Sequence, residues 1–150
     1  MRATVVLLVL AVAAPLAWGD DDKAEKEKKK FVGTWQLASG EVDGKAVADE
    51  DVTRGRMAIE GEKRTLTTPH LAKDPIKSQL KRLDPSKKPA EMDWVRDGGP
   101  GAGNTMLAIY EWVDEDTYRV CYDPAGKARP KEFKAPAGSG FILHVWKRAM

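Results

Sequence analysis

From Phe31 onward the chain never sustains the three-and-four apolar spacing of an amphipathic helix. Apolar side chains recur instead at every second residue in short runs, and Gly, Pro or Asp interrupts them about every dozen residues. Alternation of that kind buries one face of an extended strand and leaves the other to water. Successive runs cover Phe31 to Val42, Arg56 to Glu60, Lys63 to Thr68, Ile76 to Leu83, Glu91 to Val95, Thr105 to Val113, Thr117 to Tyr122 and Phe141 to Lys147. Asp43-Gly44 suits the positive backbone angles of a tight hairpin, Gly61 divides the second run from the third, and Asp84 to Pro89 and Asp114 to Asp116 are turns by composition. Ala48 to Val52 has room for one helical turn. With mostly short connections, the expected architecture is an all-β, eight-stranded antiparallel up-and-down sheet, which removes its exposed edges by closing into a barrel.

The alternation assigns an interior. Met92 and Trp94 share one face, opposite Glu91, Asp93 and Val95; Tyr118, Val120 and Tyr122 share another, opposite Thr117, Arg119 and Cys121. Between them, Met106, Ala108, Tyr110 and Trp112 are assigned inward because Glu111 falls with Leu107 and Ile109, although both sides of that run are apolar. Pro69, His70 and Pro75 break the pattern before Ile76, so the pairing of that strand is the least constrained.

The first residues read differently. Met1 and Arg2 precede an almost wholly apolar stretch from Ala3 to Leu16, and Ala17-Trp18-Gly19 reads as a cleavage site, so residues 1–19 are expected to be a signal peptide with the mature start near Asp20. The apolar stretch is shorter than the roughly 20 residues of a membrane span, and an uncleaved anchor is the alternative. The protein is therefore expected to be exported, periplasmic or extracellular, with no transmembrane segment after cleavage. Cys121 is the sole thiol, so no disulfide forms within the chain. Residues 20–30 hold five acids and five lysines around Ala24 and are expected to be a disordered charged tether, with a charged helix as the alternative. Residues 31–148 form the domain.

Composition narrows the function classes. With 25 basic and 23 acidic residues and 42% hydrophobic content, the chain is neither a fibre nor a uniformly basic nucleic-acid binder. Charge is uneven, with ten basic and four acidic residues in Arg54 to Lys88 against one and seven in Glu91 to Asp116. A solvated barrel surface accounts for that bias, and a binding patch is the alternative.

Reactive motifs are weak. Gly98 and Gly103-Asn104-Thr105 approach a phosphate-binding loop but lack its lysine and lead into a strand rather than a helix. His70, His144 and Cys121 are far apart in sequence, with no metal-ligand spacing, so neither a metal nor another cofactor is expected. His144 alternates with Ile142 and Trp146 and reads as a hydrogen-bonded wall residue, and Cys121 reads as a packed or semi-exposed thiol rather than a nucleophile. Ser139 is not in a nucleophile elbow, and no catalytic triad is apparent.

Gly33-Thr34-Trp35 resembles the GxW signature that opens lipocalins. Taken with Glu41 to Lys45, Leu83 to Pro89, Ile109-Tyr110-Glu111, Val120-Cys121-Tyr122, Arg129-Pro130 with Glu132-Phe133, and Ser139-Gly140, it resembles an uncharacterised lipocalin-like domain family abundant in planctomycete bacteria, over about residues 31–148. That resemblance implies an exported lipocalin-like barrel of unassigned activity. It also implies barrel-end closure by Trp35 under a basic residue of the last strand, for which Arg148 is the match and Lys147 the second choice. Thr68 to Ile76 departs from the family by lacking its Gly-rich turn.

Large rings dominate the interior set. They either fill the barrel or line a pocket, since an eight-stranded barrel is just wide enough for one small ligand. The ligand-binding candidates are Trp35, Met57, Trp94, Tyr110 and Tyr122, with Arg129 at the mouth. Two roles follow: a non-enzymatic carrier of a small apolar or amphipathic ligand, or a solid-core interaction module that meets another envelope protein or polymer through its charged surface and loops such as Asp97 to Asn104. An enzyme is the third reading.

Overall fold

The computed structural model describes residues 17–98 and 101–150. The expected signal peptide lies outside the described residues except for its last three. A helix, α1 (Ala17–Phe31), leads into β1 (Gly33–Val42), the two-residue β2 (Lys45–Ala46), a short α2 (Asp49–Arg54), β3 (Arg56–Glu60), β4 (Lys63–Thr67), β5 (Ile76–Asp84), β6 (Ala90–Arg96), β7 (Thr105–Asp114), β8 (Thr117–Asp123) and β9 (Ile142–Arg148). β1 and β3 to β9 pair with their neighbours in chain order, and β1 also pairs with β9, so the eight-stranded antiparallel barrel closes, with β2 as an appendage of β1. This is an all-β, lipocalin-like barrel. No helix among the described residues is long and apolar enough to cross a membrane.

Local chemistry explains the joints. Asp43 and Gly44 both take positive φ, at 49° and 83°, as a type I′ hairpin turn requires. A Cβ on Gly44 would lie 2.7 Å from the Ala137 nitrogen, so the position needs Gly for space as well as for angle. β1 bends where its register to β9 shifts between Leu37 and Ser39. It pairs with β3 only over Gly33 to Gln36, and α2 occupies the gap beyond, with Val52 against the core. Gln36 ties this joint by donating to the carbonyls of Leu37 and Val52, both at 3.0 Å.

Residues 20–30 are not the expected disordered tether; they belong to α1. Ion pairs one turn apart support the helix, Lys28 with Glu25 at 2.9 Å and Lys30 with Glu27 at 3.4 Å. Its end is anchored by Phe31, 3% exposed, and by two longer-range contacts: Trp112 Nε1 donates to Glu27 at 2.9 Å, and Lys28 meets Glu62 at 2.7 Å.

The inward assignments hold: Met92, Trp94, Met106, Ala108, Tyr110, Tyr118, Val120 and Tyr122 are buried in one core, with Trp112 packed against it. Ile109 and Cys121 are also buried, though they face outward. They pair across β7 and β8, and residues 124–141 fold back over them, bringing Ala135 and Pro130. Cys121 Sγ lies 3.3 Å from the Lys134 carbonyl, and the Arg119 guanidinium lies 4.2 Å from the Phe133 ring centre. The loop is fixed at its start by Asp123, whose carboxylate accepts from the backbone amides of Ala125, Lys127 and Ala128, each at 2.9 Å.

Candidate functional site

The two ends of the barrel differ. At the end where β1 begins, Trp35 is fully buried and its indole N–H donates to the Phe31 carbonyl at 2.9 Å. Phe31 meets Tyr110 and Tyr118 edge-on at 5.1 and 5.0 Å, and Trp35 meets Tyr118 at 4.9 Å. Arg148 stands over the Trp35 ring, its guanidinium carbon 4.4 Å from the ring centre. The same guanidinium donates to the carbonyls of Val32 and Lys30 at 3.1 and 2.9 Å and to Asp116 at 3.0 Å. Rings fill this end and charge covers it.

The opposite end is hollowed. Leu66, Ile76, Met106 and Ile142 form apolar walls around a cup of about 200 Å³, and Tyr122 completes them. Arg96 and Asn104 edge the cup, while Leu71 and Pro124 overhang it. The segment between β4 and β5 supplies Leu71, and that segment is pinned by a turn in which the amides of Leu71 and Ala72 donate to the Thr68 carbonyl at 2.9 and 3.1 Å. The break that Pro69 and Pro75 put into the strand pattern is thus a partial cover for the cup.

Between seal and cup lies an interior cation. Arg64 alternates with Leu66 along β4 and turns inward, its guanidinium carbon 4.4 Å from the Trp94 ring centre. Its Nη2 donates to Ser78 Oγ at 3.3 Å and approaches Met106 Sδ at 3.8 Å, while Nε is enclosed without an acceptor. No carboxylate among the described residues lies within ion-pair distance of it. The buried carboxylates, Asp93 and Asp123, face the opposite side of their strands, where Arg129 and the loop amides use them. Burial, ahead of any other cause, pulls the Arg64 guanidinium below its ordinary value.

Beside the cup, His144 meets His70 Nε2 to Nε2 at 3.0 Å, so one ring donates its N–H and the other accepts. Burial foremost, then His70 and Arg64, pulls His144 down to about 3; burial also lowers His70, opposed by Asp51. Both rings are neutral near pH 7. Cys121 is fully buried on the outer face, and burial pushes its thiol up to about 11. Among the described residues no three His, Cys, Asp or Glu side chains gather to hold a metal ion.

The six ligand-binding candidates do not converge. Trp35, Tyr110 and Met57 belong to the packed seal, Met57 receiving the Tyr118 hydroxyl at 3.8 Å. Trp94 carries Arg64, and only Tyr122 faces the cup. Arg129 is not at the mouth. It lies on the barrel's outer face, donating to the Ala108 carbonyl at 2.7 Å and pairing with Asp93 at 2.7 Å, because the loop that carries it packs over β6 to β8. A larger groove of about 520 Å³ beside it, bordered by Lys131, Lys134 and Phe141, is more open to solvent than the cup and encloses a ligand less. Arg64 and the histidine pair are the site residues that sequence reading missed. The parity of Arg64 with Leu66 was a usable signal; the meeting of His70 with His144 had none.

Compared with known proteins, the chain matches no family model, no curated protein and no solved structure.

Proposed function

We propose that this chain is a non-enzymatic binding barrel that takes one small amphipathic molecule in the cup at its open end. The observation that carries the reading is the asymmetry of the interior: rings and Arg148 occupy one end, while the other keeps apolar walls around unfilled space beneath a partial cover. Size limits the guest. A volume of about 200 Å³ is below the roughly 300–1,000 Å³ of sites for drug-sized ligands, so it suits a molecule of about seven water-sized groups. The aromatic residues contribute the rigid floor and walls rather than direct contacts, Tyr122 excepted. The apolar character of residues 3–16 and the small residues after them favour work outside the cytoplasm, in keeping with the planctomycete-type lipocalin-like resemblance.

The test is titration of the intact protein with short straight-chain alcohols and acids, followed by native mass spectrometry and tryptophan fluorescence. Saturable one-to-one binding is expected, weakened about tenfold or more by Ile142→Trp, which fills the cup. Titrations that never saturate, or binding unaffected by filling, would remove the reading. Cell fractionation that leaves the protein in the cytoplasm would remove its exported setting.

A further inference from the structure

The geometry points to an anionic ligand: the cup takes a short apolar chain ending in a carboxylate, and Arg64 receives that carboxylate from beneath. The inference rests on the binding role of the cup and specifies the chemistry of its guest.

Three observations converge on it. First, a partly buried guanidinium inside the barrel has no carboxylate within ion-pair distance among the described residues. A buried cation normally has a carboxylate partner, since leaving water costs far more than a neutral hydroxyl or a thioether returns. Arg64 has a serine hydroxyl at 3.3 Å, a thioether at 3.8 Å and the face of Trp94, and its Nε has no acceptor. Nor does the fold lack buried acids to supply a partner; both are committed to the outer face.

Second, the cation adjoins the cavity. Met106 touches the guanidinium through its sulfur and also walls the cup, so a single flexible thioether separates the two. Methionine has three rotatable side-chain bonds and yields readily. When it swings aside, Nη2 and Nε present the forked pair of donors that matches the two oxygens of a carboxylate.

Third, the surroundings discriminate by charge. The neutral histidine pair holds no negative charge, and the tyrosines stay protonated because burial raises Tyr118 and Tyr122 above their usual range. An ammonium group would find neutral acceptors there but no carboxylate among the described residues, and it would be repelled by Arg64. A neutral alcohol would fill the space but leave Arg64 unpaired.

The experiment compares hexanoate with 1-hexanol on the full chain at pH 7, where the acid is ionised. Hexanoate should bind about tenfold or more tightly than hexanol, the advantage of a charge-assisted pair over a neutral contact. Arg64→Met should erase that preference while leaving hexanol affinity within about twofold, since the apolar walls remain. Should Arg64→Met fail to fold, Arg64→Lys, which keeps the charge but not the fork, should lower the preference without abolishing it. Equal binding of acid and alcohol by the unaltered protein would overturn the inference and leave the cup's role standing, as would a preference that survives Arg64→Met. If neither ligand binds, the cup's role falls and the inference with it.

Discussion

His70 Nε2 lies 3.0 Å from His144 Nε2, which joins the segment overhanging the cup to the inner wall of the last strand. Such a bond needs one ring to accept, so it requires at least one neutral imidazole. Because burial holds His144 at about 3 when folded and near 6.5 when unfolded, its neutral form favours the folded state. The contribution is complete above about pH 6.5 and diminishes as pH falls toward about 3, by up to about 1.4 kcal/mol per pH unit. Replacing His144 by Phe should therefore destabilise the protein less at pH 4.5 than at pH 7.5. Urea unfolding at both pH values, which gives the difference directly, tests this; a deficit that is constant with pH would show that His144 does not titrate on unfolding.

The seal should be a major source of stability. Trp35→Ala removes a fully buried indole and its bond to Phe31, at a cost of about 3–5 kcal/mol by denaturant unfolding. Arg148→Met keeps the stem but loses the ring contact and the donations to Val32 and Lys30, at a cost of about 1–2 kcal/mol. Arg148→Met should also increase amide exchange in the last turn of α1, because two of its carbonyl partners lie there or just beyond.

Cys121 should be silent. With the thiol buried, raised to about 11 and held against the Lys134 carbonyl, it should react with a colorimetric disulfide reagent at pH 8 only as fast as the loop over it opens. Urea should bring immediate reaction, and rapid labelling of the native protein would show that residues 124–141 are not seated on the barrel.

Arg129→Met should act on that loop and leave the cup alone. It strands the Asp93 carboxylate, 7% exposed, and lowers stability by about 2 kcal/mol. Limited proteolysis should then cut between residues 124 and 141, while hexanoate affinity stays unchanged. Loss of hexanoate binding would place Arg129 in the ligand's path after all.

Period-two alternation made most of the barrel legible, because a strand that is wet on one side and dry on the other writes its face into every second residue. Trp94, Tyr110 and Tyr122 fell inward on that rule alone. It was silent where burial came from elsewhere. Ile109 and Cys121 read as outward-facing strand residues, and their cover is a loop whose path no local pattern encodes. Between Gly19 and Phe31 α1 has Ala24 as its one apolar residue, so the order of that stretch comes from paired charges and contacts distant in sequence. Arg129 was misplaced for the same reason as Ile109, since both depend on where residues 124–141 return. Arg64 was overlooked through the opposite error: a charged residue among lysines passes for surface, although its parity with Leu66 puts it inside.

The seam between β1 and β9 has a kinetic consequence. Hydrogen bonds that complete the cylinder run between its earliest and latest strands, so every shorter fragment exposes two raw edges and an unroofed apolar trough. Closure must await synthesis of the final strand and then pay for a very long loop, which slows it. A polypeptide that cannot lock prematurely keeps both edges open to other strands until its last segment arrives.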